Sequence, residues 1–505
     1  MSPAMRHNEY GFPAMKHFLT CFWSLLTWAC TAVAQEPPQP ANQFPAVSYT
    51  LLDGSYFVDD CLICGRPTIM QPLRGTFDLV LVQNTPPYLK YAVRNVDFTT
   101  SPGWAGEVRL TGGGTYVRFE EFARLQDMDL ALQIKDAFTN RPAFFTNDTV
   151  VAEKPWPLLQ INLTQTNGTL VKTFSLNLFA APLREVWFST SKALTSTNRS
   201  SPTNGISPGD LISNRGRVVK RNLELVGRLG VMPMVPDLGL DAVQVTRRGE
   251  ILFSIPSDVW SETLGQIRHG DLLSNRGAIV KRNPDLLAAF GGPAAQPDAG
   301  LDAVQVMPDG EILFSIRSNV VVNPARTLAR GDILSDRGRV FRTNRELLAN
   351  FHPAVTNRDF GLDALQILPG GEIWFSVEEG FTDNRLGTVS AGDLLSSSGH
   401  RVFSNGQLVA AFAPADPALD YGLDALFVVT DTRPPAPPPR IVKLRRSVGS
   451  VGVDWDGDGD VFQLEHAPGI SGPWSPCSPI LPDLTFDDAG DLPAGVSGFY
   501  RLRQW

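Results

Sequence analysis

The chain has 505 residues, 43% hydrophobic and 19% charged, a balance that excludes a disordered or fibrous protein. Its 44 basic and 52 acidic residues are spread without long runs, which gives little electrostatic ground for binding nucleic acid. Forty-four Gly and 40 Pro favour many turns and short strands, while six His and five Cys leave little for imidazole or thiol chemistry.

Residues 1–34 stand apart. Lys16 and His17 precede an uncharged run, Phe18 to Ala34, that ends in Ala32-Val33-Ala34 before Gln35. A basic flank, a short apolar core and an A-x-A site predict a secretory signal peptide, with Met15 the better start. A lipoprotein alternative would use Cys30, but Thr27-Trp28-Ala29 is a poor lipobox. No later segment approaches about 18 consecutive apolar residues, so no membrane span is expected and the product is read as secreted or cell-surface. Cleavage leaves Cys61, Cys64 and Cys477, with His269, His352, His400 and His466. Cys61-Leu-Ile-Cys64 is open to three readings: a redox pair, half a zinc site, or a local disulfide. No second CxxC or clustered His completes a zinc site, and an oxidising compartment favours the disulfide. Cys477 then stays unpaired or takes one of the two.

After a linker at 35–45, residues 46–183 predict an antiparallel β-sandwich or barrel. Phe77–Val82 and Met128–Ile134 alternate apolar and polar residues with period two. Glu107–Leu110 and Thr115–Phe119 flank a Gly112-Gly-Gly114 turn, and Leu158–Leu163 and Leu170–Leu178 flank Asn167-Gly168, a strong hairpin signal.

Residues 184–430 carry a 61-residue repeat. Gly-Leu-Asp-Ala recurs with its aspartates at Asp241, Asp302, Asp363 and Asp424. Gly-Asp recurs at Asp210, Asp271, Asp332 and Asp393, and strands of the type GEILFS lie between. Each unit reads as four short strands and an apolar tail such as Leu347–Phe351, the size of a propeller blade. The first unit, starting at Glu185-Val-Trp-Phe-Ser189, lacks a preceding Gly-Leu-Asp-Ala strand. The last, Gly422–Val428, lacks a following GEILFS strand. Each end supplies what the other lacks, which predicts a closed four-bladed β-propeller rather than an open solenoid.

A Pro-rich spacer at 431–440 leads to residues 441–505. Val451-Gly-Val-Asp-Trp455, Val461–Glu465, Gly472-Pro-Trp474 and Phe499–Arg503 resemble a fibronectin type III-like module of secreted bacterial proteins. That resemblance implies a small β-sandwich serving as a spacer or binding module. The chain is thus read as all-β throughout.

Two carboxylate sets are candidate Ca²⁺ ligands. Asp454, Asp456, Asp458, Asp460 and Glu465, with Gly459, fit the twelve-residue EF-hand loop, whose spaced carboxylates supply oxygen to a hard cation. Their flanks read as strands, so a hairpin with an Asp/Gly-rich turn is the competing account. The second set is Asp241, Asp302, Asp363 and Asp424. If they open the innermost strands, they ring one channel mouth and need a cation or shared protons. Propellers of the haemopexin type carry ions there, a likeness of architecture alone. The competing account has each Asp-x-Gly-Leu-Asp (first aspartates Asp237, Asp298, Asp359 and Asp420) capping turn amides. The repeated Arg215, Arg276 and Arg337 are either solvated turn residues or contacts for an anionic glycan.

No motif such as G-x-S-x-G or H-E-x-x-H is present, and no catalytic residue is assigned. The function expected is binding or adhesion, with an extracellular polysaccharide or protein as ligand. The alternatives are a polysaccharide hydrolase or lyase and a structural matrix component.

Overall fold

The computed structural model describes residues 46–505 apart from 62, 101–105, 121–123, 155, 198–204, 234–236, 292–297, 369–370, 398, 432–436, 448, 471, 473 and 490–497. The signal segment, the 35–45 linker and part of the Pro-rich spacer lie outside these residues. The described chain is mostly antiparallel β-structure with a few short helices, and Phe44–Trp505 forms one compact unit.

In the N-terminal region one sheet closes on itself. Tyr56–Asp60, Ile69–Thr85, Tyr88–Thr100, Arg109–Glu120, Arg124–Lys135, Asn140–Thr146, Leu159–Gln165 and Thr173–Pro182 pair in chain order, all antiparallel. Thr173–Pro182 then pairs back onto Tyr56–Asp60. Alternation along the strands sends one set of side chains inward, so that Phe77, Phe98, Tyr116, Leu132, Phe145 and Leu176 share one core. Arg109–Glu120 runs unbroken through Gly112-Gly-Gly114, where a turn was expected. The reason is steric. A Cβ on Gly112 would lie 2.2 Å from Ala131 O, and one on Gly114 1.8 Å from Asp129 O. Glycine here lets the strand approach its neighbours closely.

Residues 185–429 build four four-stranded sheets among the described residues. Sheet I joins Leu426–Val429, from the end of the repeat region, to Glu185–Phe188 at its start, and continues through Leu211–Ser213 and Arg217–Lys220. Sheet II is Ala242–Thr246, Glu250–Ser254, Leu272–Ser274 and Ala278–Lys281. Sheet III is Val304–Val306, Ile312–Phe314, Ile333–Ser335 and Arg339–Arg342. Sheet IV is Ala364–Ile367, Ile373–Ser376, Leu394–Ser396 and His400–Phe403.

The first strands of consecutive sheets lie against one another, and the succession returns from IV to I. Buried serines stitch the same succession. Ser189 Oγ donates to Leu240 O at 2.8 Å, Ser254 to Leu301 at 2.7 Å, Ser315 to Leu362 at 3.1 Å and Ser376 to Leu423 at 2.7 Å. Each bond therefore runs from one sheet to the next, and the fourth comes back to sheet I.

Two features of the repeat go beyond the four strands and tail read from sequence. Extra hairpins occur at Val259–Ser261/Gly265–Ile267, Val320–Asn323/Arg326–Leu328 and Phe381–Asp383/Gly387–Val389. The apolar tails are preceded by, or begin as, short helices: Asn222–Val226, Asn283–Leu287, Asn344–Leu347 and Asn405–Val409. Thr343 and Glu346 form a reciprocal capping box at the third of these, satisfying amides that the helix leaves free.

The C-terminal module has two three-stranded sheets, Arg440–Ser447/Ser450–Asp456/Thr485–Asp488 and Ser475–Pro476/Phe462–Ala467/Phe499–Gln504. They enclose Val453, Trp455, Phe462 and Leu464. A Pro-rich spacer suggested separation, yet the module is docked. Val461, Ile480 and Trp505 share a core with sheets I and II, and Lys220 Nζ meets Asp483 at 2.8 Å. Asp431 ties all three regions together. It accepts from Ser48 N, from Arg184 Nε at 2.7 Å and from Trp505 Nε1 at 2.6 Å.

Candidate functional site: carboxylates at one end of the first strands

Asp241, Asp302, Asp363 and Asp424 each directly precede, or lie just before, the first strand of a sheet, and those strands pack side by side. Their carboxyls are close enough to perturb one another. Burial lifts Asp241 to about 6, against the pull of Arg317 and His269. Burial, then the charge of Asp241, lifts Asp424 to about 7. Burial, Asp241 and Glu378 lift Asp302 to about 9. Burial and the other three aspartates hold Asp363 well above the carboxylate range. Mutual repulsion in a desolvated place is the common cause, and it is relieved by protons.

The surroundings of the four aspartates differ. Just past the second strand, sheets I to IV carry Ser191, Pro256, Arg317 and Glu378 at equivalent positions, each beside the glycine of its own Gly-Leu-Asp. Arg317, on sheet III, reaches the aspartate of sheet II, with Nη1 3.6 Å from Asp241 Oδ2. Glu378, on sheet IV, stands in the same relation to the aspartate of sheet III. There it neighbours Asp302, and its charge helps to raise the Asp302 carboxyl. Asp302 Oδ2 is buried without a hydrogen-bond partner. Glu378 is held from outside by Arg330 at 2.5 Å. Arg330 also pairs with Glu379, and Glu379 with Arg358. At the position of Arg330 the other units carry Pro208, His269 and Ala391, and His269 Nδ1 pairs with Asp258 at 2.8 Å.

Arg317, Glu378 and Arg330 were not singled out from sequence, because a search for what repeats discards the positions that vary. The repeat did contain one unread signal, asparagines at 222, 283, 344 and 405, again 61 apart. Asn222, Asn283 and Asn405 accept backbone amides from Leu238, Ala299 and Tyr421 at 2.8, 3.0 and 2.9 Å. They fasten each helix start to the segment leading into the next sheet.

The first aspartates of the motif engage backbone. Asp237 accepts from Gly209 N and Gly239 N, Asp359 from Gly331 N and Gly361 N, and Asp420 from Gly392 N and Gly422 N. Asp298 accepts from Gly300 N at 2.9 Å. Arg215, Arg276 and Arg337 donate to the carbonyls of Arg184, Arg248 and Asp309, so the last two fasten the turn of the preceding hairpin and the first fastens the residue that leads into Glu185–Phe188.

The EF-like residues are divided between two sheets. Asp454 and Asp456 end one strand of the first, where Asp454 is paired with Arg445 at 2.7 Å and accepts from Thr485 at 2.6 Å. Glu465 lies in the second, buried, against Arg501 and Arg503. Between them Gly459 N and Asp460 N donate to Gln504 Oε1 and Trp505 O, so Asp458 and Asp460 lie on a turn packed against the last strand. The segment is strand, turn, strand, without helical flanks. Among the described residues no group of three or more His, Cys, Asp or Glu is placed to hold a metal ion.

Cys61 and Cys64 are disulfide-bonded and Cys477 is free. Burial, with Asp488 nearby, lifts the Cys477 thiol to about 12. His400 is packed edge-on against Phe179, with ring centroids 4.5 Å apart, and burial pushes it down to about 3. No helix among the described residues is long and apolar enough to cross a membrane.

No family model and no curated protein matches the chain. Among solved structures, one match is the extracellular domain of a protein assigned to a hybrid two-component system of B. thetaiotaomicron. It is 8% identical over 83% of this chain and 75% of that one, with a TM-score of 0.21. A likeness of that size bears on neither fold nor function.

Proposed function

We propose that this chain is an exported or cell-surface binding protein whose ligand is a polysaccharide, held at the carboxylate end of a four-bladed propeller. In this reading residues 46–183 form a closed eight-stranded barrel, 184–430 the propeller and 441–505 a fibronectin type III-like module. The cyclic succession of sheets I to IV and the pairing of Leu426–Val429 with Glu185–Phe188 support the propeller. The leader at 1–34 and the Cys61–Cys64 bond support export, since disulfides persist in oxidising compartments.

One observation carries the choice of site: four aspartates in repeated positions meet different surroundings. A scaffold repeats its contacts, whereas a ligand of lower symmetry needs different groups in different places. Around Asp302 the chain sets carboxyls and guanidinium groups side by side, a combination that accepts from and donates to neighbouring sugar hydroxyls. A hydrolase is the second reading, favoured by the two neighbouring carboxyls of Asp302 and Glu378, each raised by burial. It ranks below binding because glycosidases keep their carboxyls about 5 Å apart or more, leaving room for the sugar.

Glycan-array binding and a cleavage assay on the same polysaccharides test both readings. Binding without cleavage, weakened in Glu378→Gln and Arg317→Ala, is the expected result. Binding that is indifferent to both substitutions sinks the site, and cleavage abolished by Glu378→Gln replaces the binder with the hydrolase.

A further inference from the structure

At one end of the N-terminal closed sheet the strands leave a cavity of about 220 Å³. Its floor is apolar: Phe57, Ile134 and Phe174 are buried there, with Val108 beside them. Gln71 lines one wall and is engaged, its Nε2 donating to Gly106 O at 2.8 Å. Ala137 and Phe138 form the outer lip, and Phe138 is 94% exposed.

Five charged groups face this space, and most are already engaged. Asp59 is paired with Arg66 at 2.5 Å and stands 3.8 Å from Lys172. Asp136 accepts from the amides of Phe138 and Thr139 at 2.8 and 2.6 Å, closing its own turn. Glu107 is exposed. Arg141 helps to hold the Asp136 carboxyl down, yet one of its donors is unmet. Its guanidinium lies over the Phe174 ring, 4.8 Å from the centroid, and its Nε is buried with no hydrogen-bond partner. A buried donor on a permanent cation is costly to leave unmade. Lys172 reinforces it, with Nζ 5.4 Å from the same ring.

We propose that this cavity binds a small amphipathic carboxylic acid, its apolar body on Phe57, Ile134 and Phe174 and its carboxylate on Arg141. Sites for drug-sized ligands run from about 300 to 1,000 Å³, so the occupant is smaller than these. Its charge follows from Arg141 and Lys172, the two cations that line the cavity beside the Phe174 ring. The site is separate from the carboxylate end of sheets I to IV, and neither proposal rests on the other.

Calorimetric titration of the full chain with phenylacetate, 2-phenylethanol and phenethylamine tests it. Phenylacetate should bind at least about tenfold more tightly than the other two, as a charge-assisted hydrogen bond implies. Arg141→Met should remove that advantage while leaving 2-phenylethanol unchanged. Ala137→Trp, an exposed change on the lip, should block all binding, and Asp302→Asn should bind phenylacetate as the parent does. Equal affinity for acid and alcohol, an unaffected Arg141→Met, or no binding of any probe at millimolar concentration overturns the proposal. If Arg141→Met fails to fold, the ranking of the three probes by the parent and the Ala137→Trp result still decide it.

Discussion

The second strand of each repeated sheet has an acidic group near both ends, and the two ends obey different rules. At its start stand Glu185, Glu250, Glu311 and Glu372, and each accepts from the serine of the neighbouring strand: Ser213, Ser274, Ser335 and Ser396. An arginine stands by three of them, Arg217, Arg276 and Arg339, and Glu372 accepts from Trp374 Nε1 instead. At the other end Asp241, Asp302, Asp363 and Asp424 share a motif and a burial, yet one faces an arginine and another a glutamate. Uniform satisfaction is what a scaffold requires of buried charge. The uneven end carries the cost of desolvated carboxyls without four matching partners, which marks it as the end shaped by something other than stability.

On that contrast, removing a glutamate should hurt most. Glu311→Ala strands Ser335 and Arg339 and should lower unfolding free energy by about 2–4 kcal/mol, less than a fully buried pair because Arg339 is half exposed. Urea melts of the equivalent Glu250→Ala and Glu185→Ala variants should show losses of the same sign. Gains in any of them break the comparison.

At the aspartate end the sign reverses. Asp302→Asn removes a group that resists ionising in the fold, so at pH 8 it should be neutral or stabilising by about 1–2 kcal/mol while weakening glycan binding. Loss of several kcal/mol there would make Asp302 a structural residue like Glu311.

A smaller effect separates the ends by pH. Asp241, Asp424 and Asp302 have folded values of about 6, 7 and 9, all above the unfolded carboxylate value of about 3.9. A raised folded value means that the native state holds protons the unfolded state releases. Their contribution is therefore greatest in acid and is lost as pH rises from about 4 through 9. The melting temperature of the parent should fall across that window, and Asp302→Asn should flatten its upper part. A profile unchanged by the substitution would remove the proton-sharing account. Smallest of all, calcium should not shift the melt, since Glu465 is engaged by Arg501 and Arg503 and Asp454 by Arg445. A clear shift on chelation would reopen both carboxylate sets.

What the sequence made legible was what recurs locally. The 61-residue spacing located the aspartates of sheets I to IV, and Asn167-Gly168 lies between Leu159–Gln165 and Thr173–Pro182, which pair. Relations across long separations were not legible. Tyr56–Asp60 meets Thr173–Pro182 more than a hundred residues later, and no local pattern encodes that partner. Gly112-Gly-Gly114 reads as a turn because positive φ and close approach both select glycine; Gly112 has both, whereas Gly113 and Gly114 are selected by the neighbouring strands alone. The docking of the last module was hidden for a third reason. Of its contacts with sheets I and II, Val461 was read only as a strand residue of the module, and Ile480, Asp483 and Trp505 carry no mark of their own.

The pairing of Glu185–Phe188 with Leu426–Val429 also sets an order in time. At about 5–20 residues per second, the ribosome takes on the order of 10–50 s to add the stretch between them. Through that interval the earlier strand has one edge unsatisfied and three sheets forming behind it, an exposed template for pairing with another nascent chain. Strand Glu185–Phe188 is made first and completed last. Misassembly during synthesis should therefore concentrate at this seam, and whatever keeps the growing chain from its neighbours has to act until Val429 has emerged.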